Sequence, residues 1–288
     1  MDKIQAAIGK ARAARAAATA TDPASAPPTS QFASDPASAS QSTGSEQRAE
    51  AWRPLATFAP KARQMARQRI VTFATSGQSL PGEVAFGVLR TKVLREMRAN
   101  GWKRLAITSP GAGCGKSTVT LNLAFSLAKQ KDVHTIVAEL DMRRPSLAKT
   151  LGIKGKTGFD TVIEGKTDFA SMAVRPRPNL AFGLNYSRAQ SPAELLQSPT
   201  IGPALARIES TYTPDLMIFD MPPMLVNDDT LAFVGQVDCV LLVAEAGTTS
   251  MREVDVCERD LAAQTNVLGV LLNKCRYMEK NDGYGGYN

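Results

Sequence analysis

The sequence predicts a doubly wound α/β fold with a mostly parallel sheet, preceded by an N-terminal extension that stays disordered. Three observations lead there. Short continuous apolar runs, of the kind that form strands covered on both faces, alternate with helical patterns from residue 103 to residue 273. The first of these runs ends in a glycine-rich turn that opens a helix. Two later runs end in carboxylates, at the strand ends where open α/β sheets bind ligands.

In chain order, residues 1–20 (MDKIQAAIGKARAARAAATA) are alanine-rich with regular basic residues, which predicts a short basic helix. Its apolar stripe is only Ile4 and Ile8, enough for weak docking to a partner or an anionic membrane surface, or else for a solvated, frayed helix. Residues 21–45 are mostly Ala, Ser, Thr and Pro, without Lys or Arg and with Phe32 as their aromatic residue. They offer too little apolar surface to offset the entropy of ordering, so they read as a disordered linker. Residues 46–80 regain Trp52, Leu55, Phe58, Ile70, Val71 and Phe73 and read as a partly ordered arm packed on the domain that follows. The domain itself is placed at 81–276. A helix is expected over 83–100, where Phe86, Leu89, Val93, Leu94 and Met97 recur at helical spacing and Gly101 supplies a C-cap.

The stretch 103–130, KRLAITSPGAGCGKSTVTLNLAFSLAKQ, gives strand, loop and helix in that order. Leu105, Ala106 and Ile107 form the strand's apolar run, and Val119, Leu121, Leu123 and Leu127 the helical pattern. That context suits a phosphate-binding P-loop. Gly111, Gly113 and Gly115 lack a Cβ, so the backbone from Gly111 through Ala112 and Cys114 can turn successive N–H groups onto phosphate oxygens. The first turn of the helix, with Ser117 and Thr118, adds unpaired amides and the positive end of the helix dipole. Lys116 is placed to reach the β- and γ-phosphates and the Ser117 hydroxyl to take a Mg²⁺ position. Pro110 stands where the strict G-x-x-x-x-G-K-[ST] pattern has its first glycine. The expected ligand is a nucleoside triphosphate.

Further strands are expected over 133–140, 179–184, 215–220, 237–244 and 267–273. Asp220 closes the run LMIF ahead of Met221-Pro222-Pro223, where a carboxylate can hold Mg²⁺ opposite Ser117. Glu139 and Asp141 close the second strand and, on an extended chain, share one side. Two such carboxylates can divide the work, one helping to fix the metal and the other orienting or deprotonating an attacking hydroxyl or water.

The 288 residues suffice for one α/β domain plus extensions. A net charge of +7 is compatible with nucleic acid, an anionic membrane surface or a plain excess of exposed Lys and Arg. The excess lies upstream of the glycine loop and no RNA- or DNA-binding motif accompanies it, so nucleic acid is not an expected partner. Cys114, Cys239, Cys257 and Cys275 are too widely spaced for a C-x-x-C metal pair and fit a reduced, cytosolic protein. Cys114 reads as a small loop residue whose backbone matters, and His134 as packed or solvated near a strand start. No apolar run reaches the ~18 residues of a membrane span, and no apolar N-terminal segment with a cleavage site points to secretion.

Four motifs occur together: Thr108-Ser109 with the loop ending GKST, Glu139-Leu140-Asp141-Met142-Arg143-Arg144-Pro145, residues 190–196 (QSPAELL), and Asp220-Met221-Pro222-Pro223. As a set they resemble the bacterial protein-tyrosine kinases of exopolysaccharide and capsule synthesis, the CpsD/CapB-like BY-kinases related to the MinD/ParA ATPases. The resemblance spans residues 80–288. It implies a P-loop NTPase domain acting as an ATP- and Mg²⁺-dependent protein-tyrosine autokinase that regulates polysaccharide chain synthesis and export. It implies Ser117, Asp141 and Asp220 as metal ligands and Lys116, Glu139, Asp141 and Asp220 as the catalytic set, with Glu139 where the family usually has Asp. Asn273 matches the strand end that contacts the purine. GTP-specific relatives carry an Asp two residues beyond the position of Lys274; Arg276, a donor only, stands there, so ATP is expected over GTP.

The family's tyrosine cluster corresponds to Tyr277, Tyr284 and Tyr287, on a tail at 277–288 kept flexible by Gly283, Gly285 and Gly286 and phosphorylated by a neighbouring subunit. Of the family's self-association pattern Glu-x-x-Arg-x-x-Arg only Arg90 remains, with Val84 and Gly87 at the other two positions. The implied partner and activator is an inner-membrane polysaccharide co-polymerase, which would hold a cytoplasmic protein at the inner face of the plasma membrane. Two alternatives stay open: a non-kinase ATPase switch docking on that co-polymerase, and a MinD/ParA-like ATPase. Relatives of the second kind carry an extra loop Lys where Gly111 stands.

Overall fold

A computed structural model describes residues 46–73 and 81–275. The expected helix at 1–20, the linker at 21–45 and Tyr277, Tyr284 and Tyr287 lie outside the described residues. Eight strands form the sheet: β1 (Ala56–Thr57), β2 (Arg104–Thr108), β3 (Thr135–Glu139), β4 (Val174–Arg177), β5 (Leu180–Gly183), β6 (Leu216–Asp220), β7 (Cys239–Glu245) and β8 (Asn266–Asn273). Their spatial order is β1-β4-β5-β3-β6-β2-β7-β8, and six run parallel while β1 and β4 run the other way.

Side chains of the central strands alternate between two cores, as the period of a strand requires. Leu105 and Ile107 of β2, Val137 of β3 and Ile218 of β6 enter one core, whereas Ala106, Ile136, Met217 and Phe219 enter the other. This is why the sequence shows unbroken apolar runs at the centre of the sheet, where both faces of the strands are dry; on the edge strand β8, Val270 and Leu272 stay exposed. Helices α1 (Ala62–Arg67), α2 (Pro81–Asn100) and α3 (Lys116–Leu127) supply buried side chains to the first core, and α4 (Ile201–Tyr212) and α5 (Met251–Ala262) cover the second. α2 begins two residues earlier than the spacing predicts, with proline in its first turn. It ends at Gly101, whose φ of +67° is the left-handed turn expected of a C-cap.

Two strands were not expected. β4 carries Pro176 and is followed by Pro178, residues that read against a strand because proline cannot donate to the ladder. It pairs antiparallel with β5, and the short β1 pairs parallel with it.

The arm contributes to both cores. Trp52 and Leu55 belong to the core of Phe159 and Phe219, and Met65 and Ile70 to the core of Val119 and Leu123. The Trp52 indole N–H donates to the Tyr212 carbonyl at 2.8 Å, and its ring meets the His134 ring edge-on at 5.1 Å. Farther along, the Thr72 hydroxyl donates to the Asn122 carbonyl of α3 at 2.8 Å, and the Asn122 amide donates to the Arg69 carbonyl at 3.0 Å. The arm is thus tied to the helix that follows the glycine loop.

Candidate nucleotide site

β2 delivers the chain to the carboxyl edge of the sheet between β6 and β7, and the glycine loop starts there. The amides of Met224 and Leu225 donate to the carbonyls of Ser109 and Pro110 at 2.8 and 3.1 Å. Pro110 therefore anchors the loop through its carbonyl, a role that its missing N–H does not impair. Gly113 and Gly115 sit at φ +88° and +90°, in the left-handed region. At Gly115 a Cβ would also collide with the Asn273 amide. That amide donates to the Cys114 carbonyl at 2.8 Å, which places the end of β8 directly against the loop. Cys114 is buried, its thiol turned to the Gly111 carbonyl at 3.3 Å.

α3 starts at Lys116, and its first residues face the ends of β3 and β6. The Lys116 ammonium donates to Asp141 at 2.7 Å, with side chains 13% and 6% exposed. Burial alone would lower the pKa of this lysine, but Asp220 and Asp141 more than compensate and it is raised, so the ammonium keeps its charge. The Ser117 hydroxyl donates to one oxygen of Asp220 at 2.7 Å and the Thr120 hydroxyl to the other at 3.0 Å. Asp220 is fully buried; desolvation pushes its carboxyl up, against the pull of Lys116 and the Ser117 hydroxyl. Its carbonyl accepts the amides of both Leu140 and Asp141 at 2.9 Å.

Those two bonds turn the chain after Glu139, where β3 ends, and this corrects one expectation. Glu139 and Asp141 do not share one side of an extended chain. Asp141 faces Lys116, whereas one Glu139 oxygen accepts the amides of Ser146 and Leu147 at 2.5 and 2.7 Å and the other accepts the amide of Asn185 at 2.9 Å. Burial raises the Glu139 carboxyl to about 7 despite those three amides. Its visible task is to fasten the loop 141–147 and the end of β5 to the end of β3.

Three partners escaped the sequence reading. Thr120 faces Asp220 from one turn beyond Lys116, a position masked by the apolar pattern of α3. Asn185 lies 46 residues from Glu139 and has no local signal. Arg143 makes two hydrogen bonds, at 2.7 and 2.8 Å, to the fully buried Asp229 and so links the loop after β3 to the start of the short helix after β6.

The donor set suits a nucleotide with Mg²⁺. Glycines free of Cβ atoms open a backbone cradle for phosphate, a charged lysine projects beside it, and a hydroxyl and a carboxylate converge on one point next to a second carboxylate. These hard oxygens are the ligands that Mg²⁺ prefers. Gly111, Ala112, Gly113, Cys114 and Gly115 make up the loop, Ser117 and Thr118 lie in the first turn of α3, and Asn273 stands beside the loop.

Comparisons with known proteins agree with this geometry. The ParA family model, described as NUBPL iron-transfer P-loop NTPase, matches residues 102–284, more than half of the chain. The putative tyrosine-protein kinase EpsB of Ralstonia solanacearum is 28% identical over 71% of this chain and 27% of its own length. The chain therefore spans about a quarter of that relative. The tyrosine-protein kinase CpsD of Streptococcus agalactiae is 28% identical over 73% of this chain and 91% of its own. Among solved structures, the VpsO kinase domain superposes with a TM-score of 0.60 at 28% identity, covering 67% of this chain and 96% of that domain. With a glycine loop, a buried lysine and paired carboxylates on a parallel sheet, and with tyrosine-protein kinases among its relatives, the chain belongs to the ParA family of P-loop NTPases.

Proposed function

We propose that this protein is an ATP- and Mg²⁺-dependent protein-tyrosine autokinase of exopolysaccharide or capsule synthesis. One observation carries the reading: Lys116, Ser117, Asp141 and Asp220 converge at the glycine loop in a chain whose relatives are named tyrosine-protein kinases. Bound ATP supplies the γ-phosphoryl group and Mg²⁺ neutralises charge on the phosphate oxygens. Lys116, held charged by its carboxylates, draws the phosphate chain into register. The cradle amides would fix the phosphates in place, and Ser117, Asp220 and Asp141 would hold Mg²⁺. A tyrosine hydroxyl brought to the γ-phosphoryl group would need positioning more than activation.

Tyr277, Tyr284 and Tyr287 are the proposed acceptors. A polysaccharide co-polymerase of the inner membrane is the proposed activator, and the protein would sit at the inner face through it. Among the described residues no helix is long and apolar enough to cross a membrane. Arg90, the residue kept from the self-association pattern, donates to the Ser126 carbonyl of its own chain at 3.1 Å, so this pattern supports self-association weakly. Incubation with labelled ATP, with and without the co-polymerase, tests the reading. Phosphate on Tyr277, Tyr284 and Tyr287 that disappears in Lys116→Ala is expected, and no phosphotyrosine even with the partner present would overturn it.

A specific observation favours a second reading. Both Glu139 oxygens are engaged by backbone amides, which leaves the position that the family uses for hydroxyl handling to a structural task. A non-kinase ATPase switch needs no such group. Release of phosphate from ATP with no phosphotyrosine would select that reading over the first.

A further inference from the structure

At the end of the sheet opposite the glycine loop, two adjoining hollows of about 560 and 380 Å³ share Arg177 and Pro178. They lie at the amino ends of β3 and β5, about 17 Å from the carboxyl edge at the rise of a five-residue strand. Phe73 and Phe125 form the apolar floor of the larger hollow, and Lys129, Lys131 and Arg177 stand around it. Arg175 lines the smaller one together with Phe58. No carboxylate is among the residues lining either hollow.

The backbone that carries the two arginines is stiff. Pro176 separates Arg175 from Arg177 and Pro178 follows, so the backbone is restricted at each step. The Arg177 guanidinium carbon lies 5.3 Å from the centroid of the Phe73 ring, a cation–π placement that holds its charge over the floor. Asn179 fixes the wall from beneath, its amide donating to the carbonyls of Gln130 and Val133 at 2.7 and 2.9 Å. Lys129 and Lys131 are both exposed on the rim, and Lys129 is engaged with Glu83.

The Arg175 Nε is buried, which sets part of this guanidinium into the wall of the smaller hollow. Forked guanidinium groups match the oxygens of a phosphoryl group, and the larger hollow falls within the size range of small-molecule sites.

We propose that these hollows form a second anion site that binds a phosphoryl group, carried on a free phosphate compound or on a phospholipid headgroup. The site shares no residue with the nucleotide site, so it stands whether or not the protein is a kinase.

The test uses the full chain with the glycine loop filled by a non-hydrolysable ATP analogue and Mg²⁺. Inorganic pyrophosphate titrated by calorimetry probes the free source. Co-sedimentation with phosphatidylglycerol vesicles, against phosphatidylcholine vesicles, probes the lipid source. Saturable binding of pyrophosphate assigns the site to free phosphate compounds, and binding to phosphatidylglycerol vesicles alone assigns it to lipid. In either case Arg175→Gln/Arg177→Gln is expected to weaken binding at least about tenfold, the loss of one or more charge-assisted bonds. The ATP analogue should bind this variant as it binds the wild type. Lys131→Glu, on the exposed rim, gives the same direction of change if the double variant fails to fold. Binding of neither probe, or binding equally strong in these variants, would overturn the proposal; the latter would place any vesicle attachment elsewhere on the chain.

Discussion

The Lys116 ammonium and the Asp141 carboxylate meet at 2.7 Å with both side chains largely removed from water. Removing one partner strands the other. Lys116→Met should cost about 3 kcal/mol of folding stability by leaving a buried carboxylate without its counter-charge. The double variant Lys116→Met/Asp141→Asn should recover most of that loss while still failing to gain stability from ATP and Mg²⁺. Urea unfolding of the wild type and these two variants, with and without nucleotide, reads both effects. Equal stability of the single and double variants would contradict the coupling.

Gly115→Ala places a Cβ at φ +90° and against the Asn273 amide. Strain of about 1–3 kcal/mol is expected from the backbone alone. Adding Asn273→Ala removes the collision but not the φ, so the pair should remain less stable than Asn273→Ala by itself. Thermal unfolding of the three variants settles the ordering, and the nucleotide-induced rise in Tm should vanish in both proteins that carry Gly115→Ala.

Trp52 is 1% exposed and its indole donates to the Tyr212 carbonyl. Trp52→Ala should cost about 3–5 kcal/mol, the usual loss for a large aromatic residue in a core. Trp52→Phe should cost less, the lost hydrogen bond and part of the ring area. A Trp52→Ala protein as stable as wild type in urea would show that the arm contributes nothing to the folded unit.

His134 has a pKa below its ordinary value because it is half-buried and because Arg48 lies beside it, Asp215 offsetting part of the effect. A depressed histidine gives stability that is fully present above the unfolded pKa of ~6.5 and is lost as pH falls toward the folded value. The unfolding midpoint should therefore drop as pH falls below about 6.5, and His134→Gln should flatten that part of the profile. A His134→Gln protein with the wild-type slope would assign the acid sensitivity to other groups.

The parallel sheet and the glycine loop were legible because their signals are local. Unbroken apolar runs mark strands buried on both faces, and three glycines ahead of Lys116 mark a backbone that must turn tightly. Asp220 was legible for the same reason, standing at the end of a run. What stayed hidden depends on distant partners. Glu139 looks like half of a carboxylate pair until Ser146, Leu147 and Asn185 are seen to take its oxygens. Asp229 carries no signal in the sequence, and its partner Arg143 lies 86 residues away. β4 was missed because Pro176 argues against any strand, and only its place near the sheet's edge makes the missing donor harmless.

The Asp220 carbonyl, clasped by two successive amides, makes residues 140 and 141 a slow zone for deuterium, because both N–H groups are locked to the central sheet. The turn beyond them shares that protection: Met142 is wholly buried, its carbonyl accepts the Ala189 amide at 3.1 Å, and Arg143 is bonded to Asp229. The lysine's counter-ion therefore stands on a stretch of backbone that is pinned from both sides.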